Sequence, residues 1–201
     1  MDEVQAIQAA QQGDLAAFNR LVMAYQGIAY NVAYRIVGDT DAAADACQEA
    51  FLSAFKGIQR FRGGSFKSWI LRIVTNACYD QLRYKGRRPA DSLEDVAQNP
   101  DYSPKLVNGR ERPEEHAMRQ ELSGVIQAGI NSLPPDQRAV LVLSDVQGFA
   151  YQEIADITGI SLGTVKSRLS RARTRLRDYL REHQELLPTQ YRLTSSREQE
   201  I

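Results

Sequence analysis

Apolar residues along this chain recur with the repeat of buried helical faces. Leu15, Phe18, Leu21, Val22, Tyr25, Ile28, Ala29, Val32, Ile36 and Val37 follow one another at three- and four-residue spacing, which predicts a long amphipathic helix. Asp14 stands where an N-cap belongs and Gly38 where a helix ends. A second helix is predicted from about Asp39–Asp41, where acids suit the positive end of the helix dipole, to about Gly57. The Gly63-Gly64 pair breaks the chain, and a third helix then carries Phe66, Trp69, Ile70, Ile73, Val74 and Ala77 on one side. Trp69 reads as core.

The periodicity fails between Gly86 and Arg112. Pro89, Pro100, Pro104 and an Asn-Gly at 108–109 sit among polar residues, and so long a structureless stretch is improbable inside one compact domain. It reads as a flexible interdomain linker. Pro113-Glu114-Glu115 then starts a helix with Met118, Leu122, Val125, Ile126 and Ile130, and Leu133-Pro134-Pro135-Asp136 turns into another with Val140, Leu141 and Leu143, ended by Gly148. Short helices from Ala150 and from Ser161 follow. No strand-like alternation of useful length is present. The expected architecture is all-α: a helical domain over 1–88, a linker over 89–112, a second helical domain over 113–187 and a polar tail over 188–201.

Composition changes this picture little. At 201 residues and 43% hydrophobic, the chain can bury two small cores. No run approaches the roughly 18 apolar residues of a membrane span. The opening MDEVQAIQAAQQGD lacks the layout of a signal peptide, so a cytoplasmic protein is expected. Cys47 and Cys78 fall within helices without a CxxC, and His116 and His183 stand alone. Buried free thiols are expected, with no metal and no cofactor.

Charge changes the picture more. The net charge is zero, but Lys56 to Arg88 holds nine basic residues against Asp80 alone, and Ser161 to Arg181 holds seven against Asp178 alone. Acids collect at Asp39–Glu49 and between Asp91 and Glu115. Two separated basic patches point to two nucleic-acid contacts, although the same runs also describe two solvated helix faces.

The segment YQEIADITGISLGTVKSRLSRARTRL favours nucleic-acid binding over an ordinary helical hairpin with a solvated basic face. Ile154, Ala155 and Ile157 make a short apolar helix, Thr158-Gly159-Ile160 a tight turn, and Ser161 a cap for a second helix. On that helix Val165, Leu169, Ala172 and Leu176 gather on one face, with Gly163, Thr164, Ser167, Ser170, Arg171 and Thr174 opposite. A small, polar outer face lets a helix lie close to base edges in a major groove. Arg171 suits a bidentate contact to guanine, and Lys166, Arg168 and Arg175 suit phosphates.

From LPPDQRAVLVLSDVQGFAYQEIADITGISLGTVKSRLSRARTRLR the chain resembles region 4 of the extracytoplasmic-function group of sigma factors. The resemblance implies reading of the minus-35 promoter element and packing on the polymerase beta flap, with Lys166, Ser167, Ser170 and Arg171 matching the family's recognition-helix contacts; Thr164 from the outer face and Arg168 from its flank complete the expected minus-35 set. Response regulators of the nitrate/quorum-sensing type carry a similar helix-turn-helix. The N-terminal half separates the two: DAAADACQEAFLSAFKGIQRFRG and SFKSWILRIVTNACYDQLRYKGRR are similar to regions 2.2 to 2.4 of the same sigma group, in the right order.

On the helix from Asp41, the residues Ala42, Ala43, Ala46, Ala50 and Ala54 form a smooth inner face. Asp41, Asp45, Gln48 and Leu52 lie outside, with Glu49 and Phe55 at the margins. The resemblance implies that this outer face docks the polymerase beta-prime clamp helices; solvated acids favouring the helix N-terminus are the plainer account. On the next helix, Arg72, Thr75, Asn76, Tyr79 and Arg83 share a polar face whose cations, amide and ring suit single-stranded DNA. The family melts the minus-10 element here and captures an extruded base. By resemblance, Asn76 contacts that base and the loop of Arg62–Ser65 completes the pocket.

No phosphate loop, metal cluster or nucleophile–His pairing is visible, so neither catalysis nor a small-molecule substrate is expected. The expected partners are core RNA polymerase, promoter DNA and an anti-sigma factor that clamps both domains. The alternative is a helix-turn-helix regulator acting without stable polymerase association.

Overall fold

The computed structural model of the protein describes residues 2–87 and 113–187; the expected linker at 89–112 and the tail at 188–201 lie outside the described residues. Helices account for nearly all of it, and no strand occurs among the described residues. The order is α1 (Glu3–Gln11), α2 (Leu15–Val37), α3 (Thr40–Gly57), a 3-10 turn (Ile58–Arg60), α4 (Phe66–Arg87), then α5 (Pro113–Asn131), α6 (Pro135–Leu141), a π-helical turn (Val142–Val146), α7 (Tyr151–Thr158) and α8 (Leu162–Glu182).

The local signals act as expected. Asp14 Oδ1 accepts from Ala17 N–H at 3.0 Å to start α2, and Gly38, at φ 75°, ends it in the left-handed conformation. Asp39 Oδ1 accepts from Ala42 N–H at 2.7 Å to start α3, and Ser65 Oγ accepts from Ser68 N–H at 3.1 Å to start α4. The helix α1 was not evident from the sequence. Its buried residues are only Ala6, Ile7 and Ala10, too few and too small to raise a periodic signal, and they become core against α2. A second difference concerns α8, which runs for 21 residues rather than as a short helix.

In the first half, α2, α3 and α4 pack on one another. The stripe Ala42, Ala43, Ala46, Ala50 and Ala54 is fully or nearly buried, so small side chains bring the α3 backbone close to its neighbours. Helix α4 supplies the large groups: Phe66, Ile70, Leu71 and Val74 are essentially inaccessible, each contributing about 1.5–3 kcal/mol on burial. Phe61, Phe66 and Trp69 form an aromatic cluster with ring centroids 5.3–5.6 Å apart, which places Trp69 at the core edge as expected. Cys47 and Cys78 are buried free thiols, and burial pushes the Cys47 thiol up to about 12. In the second half, α6, α7 and α8 enclose Val140, Leu143, Ile154, Ile157, Val165 and Leu169.

The two halves also touch. Arg35 donates to Gln127 Oε1 at 3.0 Å, and Gln127 returns Nε2 to Arg35 O at 3.4 Å. Gln147 Nε2 donates to Asn31 Oδ1 at 3.0 Å. Gly38 lies so close to α5 that a Cβ there would meet the Asn131 side chain at 2.5 Å. Arg138 is buried without a carboxylate partner. Its guanidinium donates to Ile36 O, at the C-terminus of α2, and to Asn131 O and Leu133 O, around the end of α5. Carbonyls at helix C-termini carry the negative end of the dipole, so they offset part of the desolvation that lowers the pKa of the buried Arg138 cation.

Candidate nucleic-acid interface

Helix α7, the turn and α8 form the expected helix-turn-helix. Gly159 closes α7 at φ 70°, with its N–H on Ala155 O at 2.8 Å. Ser161 caps α8: its Oγ accepts from Thr164 N–H at 3.1 Å and lies 2.8 Å from Thr164 Oγ1. Val165, Leu169 and Ala172 anchor α8 inward. The opposite face leaves Lys166, Ser167, Ser170 and Arg171 exposed and Thr164 half-buried, so five of the six residues assigned to the upstream DNA element share one accessible surface.

Arg168 departs from that set. Its Nε pairs with Asp136 Oδ2 at 3.0 Å, which turns the guanidinium toward α6 rather than outward. Arg173, one turn past the recognition face, is held by Asp145 through Nε at 2.9 Å and Nη2 at 2.6 Å. These bonds raise the Arg173 guanidinium above its ordinary value and hold the Asp145 carboxyl below the usual carboxylate range. The sequence reading had not assigned this pair. A groove of about 430 Å³ runs beside it, lined by Tyr151, Lys166, Ser170, Arg173, Thr174 and Arg177, three of them basic.

On α4 the polar face is partly as expected. Arg72, Asn76 and Arg83 are exposed, and Tyr79 is half-buried. Thr75 is a correction. It is fully buried, and its Oγ1 has no hydrogen-bond partner. Helix α4 is central to the bundle, so its buried arc is wider than one stripe and takes in Leu71, Thr75 and Cys78 beyond the residues that periodicity marks. Thr75 is therefore a buried residue of the bundle and not part of the exposed polar face of α4. Part of this face meets the second half of the chain. Arg72 Nη1 lies 3.5 Å from Asp156 O on α7, and Lys67 Nζ sits 4.4 Å above the Phe149 ring. Burial pushes the Tyr79 hydroxyl up to about 12, with Arg168 and Asp136 nearby. Arg83 pairs with Asp80 at 2.8 Å. Arg62 is exposed on the loop before α4.

The α3 face assigned to polymerase is free. Asp41, Asp45, Gln48, Glu49 and Leu52 are all exposed, and Leu52, at 54% exposure, adjoins Phe55, whose ring packs edge-on against Phe18 at 5.1 Å. Exposed Leu52 and Phe55 thus share the outer side of α3 with the acids Asp41, Asp45 and Glu49. Among the described residues no cluster of His, Cys, Asp or Glu could hold a metal, and no helix is long and apolar enough to cross a membrane.

Family models place these modules. Residues 21–88 match the Sigma-70 region 2 model and residues 123–176 the Sigma-70 region 4 model. The chain is 37% identical over 173 residues to the ECF RNA polymerase sigma factor SigE of Mycolicibacterium smegmatis, covering 86% of this chain and 65% of that protein. It is 36% identical over 169 residues to the ECF RNA polymerase sigma-E factor of Escherichia coli K12, covering 83% of this chain and 88% of that one. Among solved structures, the sigma factor RpoE of Bartonella quintana, in complex with the anti-sigma factor NepR, superposes with a TM-score of 0.61 at 27% identity over 81% of this chain and 96% of its own. With both modules in chain order and such a relative spanned almost end to end, the chain belongs to the extracytoplasmic-function (ECF) family of RNA polymerase sigma factors.

Proposed function

We propose that this protein is a promoter-specificity subunit that binds core RNA polymerase, recognises minus-35 and minus-10 elements and assists strand opening. Its partners on this reading are the beta-prime clamp helices and beta flap of polymerase, promoter DNA, and an anti-sigma factor of the kind bound to the Bartonella relative. It acts in the cytoplasm on no small-molecule substrate. The family is not known as enzymatic, and we assign the chain no catalytic step or cofactor.

The observation that carries this reading is the pairing of two surfaces in one chain. The exposed Asp45–Leu52 face of α3 suits protein docking, and the exposed Ser167–Arg171 face of α8 suits a DNA groove. A regulator that bound DNA alone would have use only for the second. Arg62, Arg72, Asn76, Tyr79 and Arg83 take the minus-10 role, and Thr164, Lys166, Ser167, Ser170 and Arg171 the minus-35 role. Arg168 contributes through its bond to Asp136.

Gel filtration with core polymerase tests the reading, which expects a one-to-one complex. Asp45→Lys combined with Leu52→Ala should weaken that complex by about tenfold or more with helicity unchanged, since one charge is reversed and one apolar anchor removed. Absence of any complex with the unsubstituted protein would overturn the sigma reading. An unchanged affinity in the double variant would move the docking surface elsewhere.

A further inference from the structure

Helix α1 lies against the loop that leads into α4, and one of its side chains ties the two together. Gln11 Nε2 donates to Phe61 O at 2.8 Å and to Ile58 O at 3.2 Å, across 50 and 47 residues. Both amide protons are thus spent on carbonyls at either side of the 3-10 turn Ile58–Arg60. The Phe61 ring is already fixed by its packing on Phe66 and Trp69, which settles where the residue is. The bond to its carbonyl settles something else: the tilt of the Phe61–Arg62 peptide, and hence the direction in which the chain leaves toward Arg62. Downstream the loop is held again at Ser65, the cap of α4.

Between those two anchors lie Gly63 and Gly64, at φ 95° and 87°, with nothing within 4 Å of either Cβ position. The loop would otherwise be free to swing. Two left-handed glycines give it no side-chain packing of its own, so its course depends on its ends.

The same loop and α1 enclose an open groove of about 680 Å³. Its walls are Gln8 and Gln11 from α1 and Gln59, Arg62 and the glycine backbone opposite, above a floor that includes Ile7. Planar amides that both donate and accept, an arginine and an apolar floor suit a nucleotide whose base is unstacked. Glu3 also borders the groove, but its carboxylate accepts from the Tyr25 hydroxyl.

We propose that Gln11 is a positioning residue for promoter reading: through Phe61 O and Ile58 O it sets the course of the 62–65 loop, and α1 forms the wall facing that loop across the groove. The inference rests on the reading that Arg62 and Asn76 contact the opened minus-10 strand, and it adds an element before residue 21 to that reading. Gln11 itself touches no base. Its effect is on which base the loop accepts, not on whether the chain binds DNA.

The test uses the full chain bound to core polymerase and promoter fragments with an unpaired minus-10 strand, each carrying one base change. The readout is the selectivity ratio at each position. Gln11→Ala, and Gln11→Glu, which keeps the length but cannot donate, should lower selectivity at one position by about tenfold, within the range that a base contact supplies. Gln11→Lys, which restores a donor at similar reach, should retain most of it. Polymerase affinity and upstream duplex binding should stay level in all three. A uniform loss over every base, tracking a fall in Tm, would make Gln11 merely structural and overturn the inference. So would unchanged selectivity in the Gln11 variants while Arg62→Ala or Asn76→Ala reduces it, and in that case the minus-10 reading would survive. If neither Arg62→Ala nor Asn76→Ala changes selectivity, the minus-10 reading itself fails and takes the inference with it.

Discussion

Thr75 stands three residues after Arg72 and one before Asn76, and those two neighbours are exposed while Thr75 is not. The hundred-degree rotation between successive residues makes such a boundary sharp: Thr75 and Asn76 fall on different arcs of the helix. The Thr75 hydroxyl is buried without a partner, a state that costs about 1–3 kcal/mol relative to a satisfied group. Thr75→Val replaces the hydroxyl by a methyl of similar shape, so it should leave stability unchanged or raise it by up to about 1–2 kcal/mol in urea denaturation. It should leave binding of a minus-10 single strand as it was. A clear loss of strand binding at unchanged stability would restore Thr75 to the DNA face. Arg138 is the opposite case at the same scale. Nothing in PDQRAVLVL marks Arg138 as buried, because its partners are three backbone carbonyls, and a carbonyl leaves no side-chain signature in the sequence.

Among the elements, α8 carries the most direct prediction. Arg171 is exposed on the small-residue face, and Lys166 borders the groove lined by Arg173 and Arg177. Arg171→Ala should cost about 1–3 kcal/mol on the specific upstream duplex and much less on a scrambled one, as loss of a base contact does. Lys166→Ala should weaken both duplexes alike and flatten the salt dependence by roughly one counterion. Anisotropy titrations at several salt concentrations separate the two. Equal losses on both duplexes for Arg171→Ala would assign it to phosphate. This element was legible in the sequence because its requirements leave marks there: a glycine for the left-handed turn, a serine cap, and small residues wherever a base edge must come near. The alanine stripe of α3 and the apolar run of α4 were legible for the same reason, since burial against a neighbour dictates side-chain size at fixed spacing. Helix α1 was not. It buries two alanines and an isoleucine, and its principal bond runs from a glutamine to carbonyls, which any residue could supply. The Arg168–Asp136 pair was equally hidden, because it joins residues 32 positions apart on α8 and α6, and periodicity reports a face without reporting what the face meets.

At the scale of the whole molecule, the two surfaces proposed to face DNA stand in different states. The outer face of α8 is open, but the polar face of α4 lies against α7, with Arg72 at Asp156 O and Tyr79 half-buried. A single strand reaching Tyr79 and Arg72 therefore requires α7 to move away from α4. The contacts between the halves include several polar pairs: Arg35 with Gln127, Asn31 with Gln147, and Arg138 with Ile36 O. Polar groups of this kind exchange protein partners for water at a net cost of about 0.5–1.5 kcal/mol each, and buried apolar residues of both halves pack beside them. Arg35→Ala with Gln127→Ala removes one reciprocal pair, and with it the bond from Gln127 to Asn131 within α5, without touching α4, α7 or α8. Arg138 is the wrong choice for the purpose, because two of its three bonds lie within the second half and its loss would damage that half directly. The double variant should bind a minus-10 single strand several-fold more tightly in the absence of polymerase, as a closed population gives way to an open one. A dye pair, one on α3 and one on α8, should report a greater mean separation, and affinity for the upstream duplex should not change. A greater separation with no gain in strand affinity would show that α7 is not what covers the α4 face.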